Sequence, residues 1–115
     1  MSTATLFPMK FVIDEYTADT FLPYVGRVFK FESEDVARSP VHLELLEVKR
    51  QRSSGRPAGF REPFALLFGL RGADALGTGF HRITHEDFEP ADWFLTRVLD
   101  PGRDPHLACY EAVFG

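Results

Sequence analysis

A single cysteine in 115 residues, Cys109, has no second thiol in the chain to pair with. An intrachain disulfide framework is therefore excluded, and the fold must rest on packing. No apolar run approaches the roughly 18 residues of a membrane-spanning helix, so membrane insertion is not expected. The opening MSTATLFPMKFVIDEY has neither the basic start nor the long apolar stretch of a secretory signal. Synthesis in the cytoplasm without a signal peptide is the expectation, and incorporation into an exported or tail-like particle stays open. Basic residues are outnumbered, 13 Lys and Arg against 17 Asp and Glu, for a net charge of −4. Nucleic-acid phosphates call for a basic surface, so nucleic acid is not expected as a partner. Tyr and Trp are scarce, three and one, and the aromatic content is carried by twelve Phe. A Phe ring has no polar handle, so most of the twelve must be buried against protein or against a partner.

What is present fits one domain. A chain of this length buries roughly two thirds of its unfolded surface, enough for a single core. Residues 1–16 read as an N-terminal arm with a short strand, MKFVI (9–13), and residues 17–115 as a single β domain. TADTFLPYVG (17–26) predicts one or two helical turns, with Thr17 as N-cap and Gly26 as the stop. Pro23 keeps this helix brief, and Phe21, Leu22 and Val25 have the spacing to pin it over a sheet or a barrel mouth. RVFKFES (27–33) alternates, with Phe29 and Phe31 on one face. VHLELLEVKRQ (41–51) alternates and then slips at Leu45 and Leu46, the pattern of a β-bulge. FALLFGLR (64–71) is apolar on both faces and reads as a central strand. GFHRITH (79–85), DWFLTRVL (92–99) and HLACYEAVFG (106–115) complete the set. SSGRPAG (53–59), GADALGTG (72–79) and DPGRDP (100–105) supply turn chemistry between them. Short strands at this spacing without a long amphipathic helix predict an all-β fold with one short helix. The architecture is a small six- to seven-stranded, mostly antiparallel barrel or sandwich. Its last strand is either tucked into the sheet or left at an edge.

Catalytic constellations are not evident. His42, His81, His85 and His106 offer no tight ligand pair: on a strand His81 and His85 stand about 13 Å apart, so no metal site and no cofactor is expected. Ser33, Ser39, Ser53 and Ser54 lie in turns without a nucleophile elbow, and Cys109 reads as a buried, inert thiol inside the final strand. Glu86, Asp87, Glu89 and Asp92 read as an acidic connection between strands rather than as a hydrolase pair. No glycine-rich loop precedes a helix to cradle phosphate. The strongest charged feature is KRQRSSGRPAGFR, which holds Lys49, Arg50, Arg52, Arg56 and Arg61. Unlike charges on two segments of one chain suit head-to-tail association. The interface candidates are therefore Arg50, Arg52, Arg56 and Arg61, with Glu86, Asp87 and Glu89 as their complement, and Phe7 and Phe11 on the arm.

TADTFLPYVGRVFKF, LELLEVK, REPFALLFGLRG, WFLTRV and YEAVFG together resemble a family of small bacterial domains of unknown function. Its pattern runs through E-P-F-x-L-L-F to a closing Y-E-A-x-F, over about residues 17–115 here. The family's members resemble companions of phage-tail-collar-type proteins. These are core-strand patterns, so the resemblance carries no catalytic residue across and implies a structural part of a tail-like or fibre-like assembly. The reading that results is a non-enzymatic structural or interaction domain, whose partner is itself, as a homo-oligomer, or another protein of an assembly. The alternative is a small β-barrel that binds an apolar or aromatic ligand, with Phe side chains as its lining.

Overall fold

A computed structural model describes residues 10–32, 40–50, 62–71, 76–99 and 107–115. Six strands follow one short helix: α1 (Ala18–Phe21), β1 (Val28–Phe31), β2 (Val41–Arg50), β3 (Phe64–Arg71), β4 (Gly79–His85), β5 (Phe88–Val98) and β6 (Leu107–Phe114). They close into a barrel in the order β1-β2-β3-β6-β5-β4, and each adjacent pair is antiparallel. Of the expected architectures, the barrel is the one adopted. Closure gives every strand two neighbours. β6 is accordingly no edge: it pairs with β3 from Phe64–Phe114 through Arg71–Leu107 and with β5 at Thr96–Glu111 through Val98–Cys109.

Alternation decides which side chains enter. Phe29 and Phe31 of β1, Leu43 and Leu45 of β2, and Phe64, Leu66 and Phe68 of β3 share the interior with Ile83, Trp93, Leu95, Tyr110 and Ala112. The slip in β2 is a bulge, with the register to β3 shifting between Leu45 and Glu47. It turns Leu46 outward while Leu45 stays fully buried.

β3 is covered on both sides, as its sequence predicts. Ala65 and Leu67 point away from the interior, yet each is only 1% exposed. A second apolar layer therefore lies outside this part of the wall. Gly69 shows how closely it approaches: a methyl group there would stand 2.8 Å from a Leu46 methyl and 3.2 Å from both Leu107 methyls.

One barrel mouth is stoppered by residues 16–24. Thr17 caps α1, accepting from the Thr20 backbone N–H at 3.3 Å, while the Thr17 N–H donates to the Thr20 hydroxyl at 3.0 Å. Pro23 limits the helix to four residues plus a 3-10 turn, Leu22–Tyr24. Gly26 ends the segment at φ +90°, a conformation suited to a residue without a Cβ. Removing the cap in Thr17→Ala should cost about 1 kcal/mol, read as a lower urea midpoint at unchanged slope. Only Phe21 of the three expected pins is buried; Leu22 and Val25 are 47% and 44% exposed. Tyr16, Ala18 and Tyr24 anchor the segment in their place, because a helix this short turns a single face inward.

The opposite mouth is closed by residues 76–78. Leu76 is buried and its carbonyl accepts from the Tyr110 hydroxyl at 2.9 Å. The Gly77 carbonyl accepts from His81 Nε2 at 2.7 Å, and Thr78 Oγ1 accepts from the Arg97 N–H at 3.1 Å. Among the described residues, no helix is long and apolar enough to cross a membrane.

Two expectations need correction. The described part of MKFVI, residues 10–13, is not a strand: Phe11 makes one isolated parallel bridge to Phe88, and the chain then turns into a 3-10 helix at Ile13–Glu15. The acidic stretch is not all connection either. Only residues 86 and 87 form the β4–β5 turn, and β5 begins at Phe88 because that ring is needed in the core. Pro90 is accommodated where the β4–β5 register shifts, between Ile83 and His85, a place where strands tolerate proline. The turn assignments at 53–59 and 100–105 lie outside the described residues.

Candidate functional site

The plugged mouth gathers the acidic turn and the arm. The Phe11 N–H donates to the Asp87 carbonyl and the Glu89 N–H to the Phe11 carbonyl, both at 2.9 Å. The Phe11 ring lies 5.1 Å from Phe88 and 6.5 Å from Tyr24. The Tyr24 hydroxyl donates to Asp87 Oδ2 at 2.9 Å, and the Asp87 N–H donates to His85 Nδ1 at 3.0 Å. His85 is wedged among Phe29, Tyr24 and Phe88, with centroids at 4.7, 5.5 and 5.2 Å. The Asp87 carboxylate is thus committed to a tyrosine and the His85 acceptor to a backbone amide. This is the chemistry of a staple that holds a turn against a plug.

Burial holds the His85 imidazole below its ordinary value of 6.5, against the raising pull of Asp87 and Glu86. The folded state disfavours the proton, so the unfolded chain takes it up first as pH falls. The contribution is whole above about pH 6.5 and is lost as pH drops through that value toward the depressed folded one. Urea unfolding at a series of pH values from about 8 to about 5 should therefore show a decline that is shallower in His85→Asn, which keeps an acceptor but does not titrate. Equal declines in the two proteins would contradict this.

Of the other expected interface residues, Arg50 forms an ion pair with Asp19, at the start of α1. The two line an open cleft of about 250 Å³ with Thr17, Ala18, Glu62 and Pro63. Arg50 therefore has an acidic partner within its own chain. Phe7, Arg52, Arg56 and Arg61 lie outside the described residues. Among the described residues, no group of three or more His, Cys, Asp or Glu side chains is placed to hold a metal ion.

Among the described residues, the most exposed aromatic surface lies elsewhere. With His81 and Ile83 turned inward, Phe80, Arg82 and Thr84 of β4 face out; with Trp93 and Leu95 inward, so do Asp92, Phe94 and Thr96 of β5. Phe80 and Phe94 are direct cross-strand partners, 62% and 48% exposed, with their rings edge to face at 5.1 Å. Continuing the β5–β6 register by two residues places Val113, 59% exposed, beside Phe94. On the inner face the same continuation pairs Trp93 with Phe114, whose rings do stand 5.4 Å apart. Beyond the aromatic pair, Arg82 Nε meets Asp92 Oδ1 at 3.3 Å, again between direct cross-strand partners. The wall of β4 and β5 thus presents an apolar row bordered by a half-exposed ion pair. Sequence reasoning missed it, although the signal was there: both Phe occupy the outward phase of alternating strands.

A family model matches residues 16–114. The chain belongs to the DUF6916 family of domains of unknown function. The match begins at Tyr16, the first fully buried residue of the plug, and ends at Phe114, the last residue of β6, so it takes in the plug and all six strands. No curated protein and no solved structure matches the chain.

Proposed function

We propose that this domain is a non-enzymatic interaction module that self-associates or docks into a larger bacterial assembly, of which a tail-like or fibre-like particle is one kind. The observation that carries the reading is the exposed Phe80–Phe94 row on the outer wall of a closed barrel. Exposed rings on an outer wall gain from being covered, and a partner is what covers them. Strand addition at an edge is the other common route to assembly, and a barrel in which every strand has a neighbour on each side disfavours it. The interior supports this reading over a ligand barrel, since Phe21, Phe29, Phe68, Phe88 and Trp93 pack against one another inside it.

A photo-reactive side chain placed at position 94 should form protein adducts in the cell that makes the domain, and one at exposed Glu44 should not. Adducts absent at 94, or equally abundant at both positions, would overturn the proposal.

A further inference from the structure

The reading above leaves the partner open, and the pairing of the β4–β5 hairpin narrows it. We infer that the partner at this face is a second copy of the same chain, related by a two-fold axis lying along the hairpin between β4 and β5. The inference rests on the proposed interaction role and specifies it.

The geometry follows from the register. Phe80 stands opposite Phe94, and Arg82 stands opposite Asp92 on the same outer face, two residues further along each strand. A two-fold axis parallel to the strands and midway between them carries β4 of one copy over β5 of the other without shifting position along the hairpin. Phe80 then lies over the Phe94 position of the second copy, and Arg82 over its Asp92 position. Each ion pair of the free barrel is extended into a square of alternating charge, while the rings meet in the middle. Alternative placements of two identical faces bring Arg over Arg or charge over Phe. The face is thus complementary to itself in charge and in apolar character, which an isologous contact requires.

The desolvated centre would be aromatic and the border charged, the arrangement in which a few rings supply most of the affinity. Arg82 and Asp92 are each about half exposed in the single chain, 49% and 54%, so both have room to accept a second partner.

Sedimentation of the purified protein from micromolar to millimolar concentration should show a monomer–dimer equilibrium. Phe94→Ser and Phe80→Ser should each weaken it by about tenfold or more, with unchanged far-ultraviolet circular dichroism because both side chains are exposed. The deciding experiment uses charge reversal. Arg82→Asp alone and Asp92→Arg alone should each be monomeric, since each sets like charges together in its own homodimer. An equimolar mixture of the two variants should dimerise, because both contacts across the interface then join an acidic to a basic side chain. Retained dimerisation of either variant alone, or a monomeric mixture, would overturn the two-fold arrangement. A wild-type chain that stays monomeric throughout would overturn the second copy as partner. Adducts to another protein at position 94 would in that case leave the broader interaction role standing.

Discussion

Phe21→Ala should lower the free energy of unfolding by about 3–5 kcal/mol, the cost of emptying a fully enclosed aromatic site. Phe21 has no exposed surface and stands within 5.1–6.4 Å, ring to ring, of Tyr16, Phe29, Phe64, Phe88, Trp93 and Phe114. Its stack on Phe88, at 7° between ring planes, ties the plug to the first residue of β5. A domain of ordinary stability has about 5–15 kcal/mol in all, so this one substitution takes a large share of it. Fluorescence of Trp93, the single Trp of the chain and 5.7 Å from Phe21, reports the transition directly in guanidinium titrations. A loss below about 1 kcal/mol would mean that residues 16–24 rest on the barrel rather than complete it.

Leu67→Ala should cost about 2–5 kcal/mol, as much as Leu66→Ala, although the two residues point to opposite faces of β3. In a barrel with a solvated outer wall, the outward substitution would change stability by no more than about 0.5 kcal/mol. Leu67 is 1% exposed and Leu66 is fully buried, so both truncations leave cavities. Phe80→Ala supplies the contrast, because Phe80 also points outward but is 62% exposed. Urea midpoints for the three variants should fall into two groups, with the Leu66 and Leu67 variants together. A Leu67 variant that grouped with Phe80→Ala would show β3 to be core on one face only.

These two residues also mark how far the sequence could be read. Alternation in VFKF and the doubly apolar run of FALLFGL identified faces and burial before any pairing was known, because side-chain direction has period two in any strand. The adjacent leucines 45 and 46 announced the bulge for the same reason. Thr17, Pro23 and Gly26 set the bounds of the plug through local chemistry alone. Pairing is a different matter. The contact of β1 with β4, which closes the barrel, joins Phe31 to Ile83 across nearly half of the chain, and nothing local specifies it. The isolated bridge at Phe11 exists only because the β4–β5 hairpin presents a backbone edge there, which the apolar run itself does not reveal. Glu-Pro-Ala-Asp has the composition of a loop and became strand because Phe88 on one side and Trp93 on the other are held in the core. The outward Phe80–Phe94 pair was written in the phase of two strands but needed their register to become one surface. Charge clustering drew attention to the basic segment instead, and the one arginine of it that can be placed, Arg50, is engaged by Asp19.

The strand order has a consequence for biosynthesis. β3 is apolar on both faces and finds its second neighbour only in β6, with β4 and β5 intervening in the chain. As the polypeptide leaves the ribosome, Phe64–Arg71 emerges well before Leu107–Phe114 and must wait with one backbone edge unpaired. Non-local closure of this kind slows folding and leaves sticky segments exposed to neighbouring nascent chains. The stretch that is buried on both faces of the finished barrel is therefore also an aggregation-prone one while the barrel is being made.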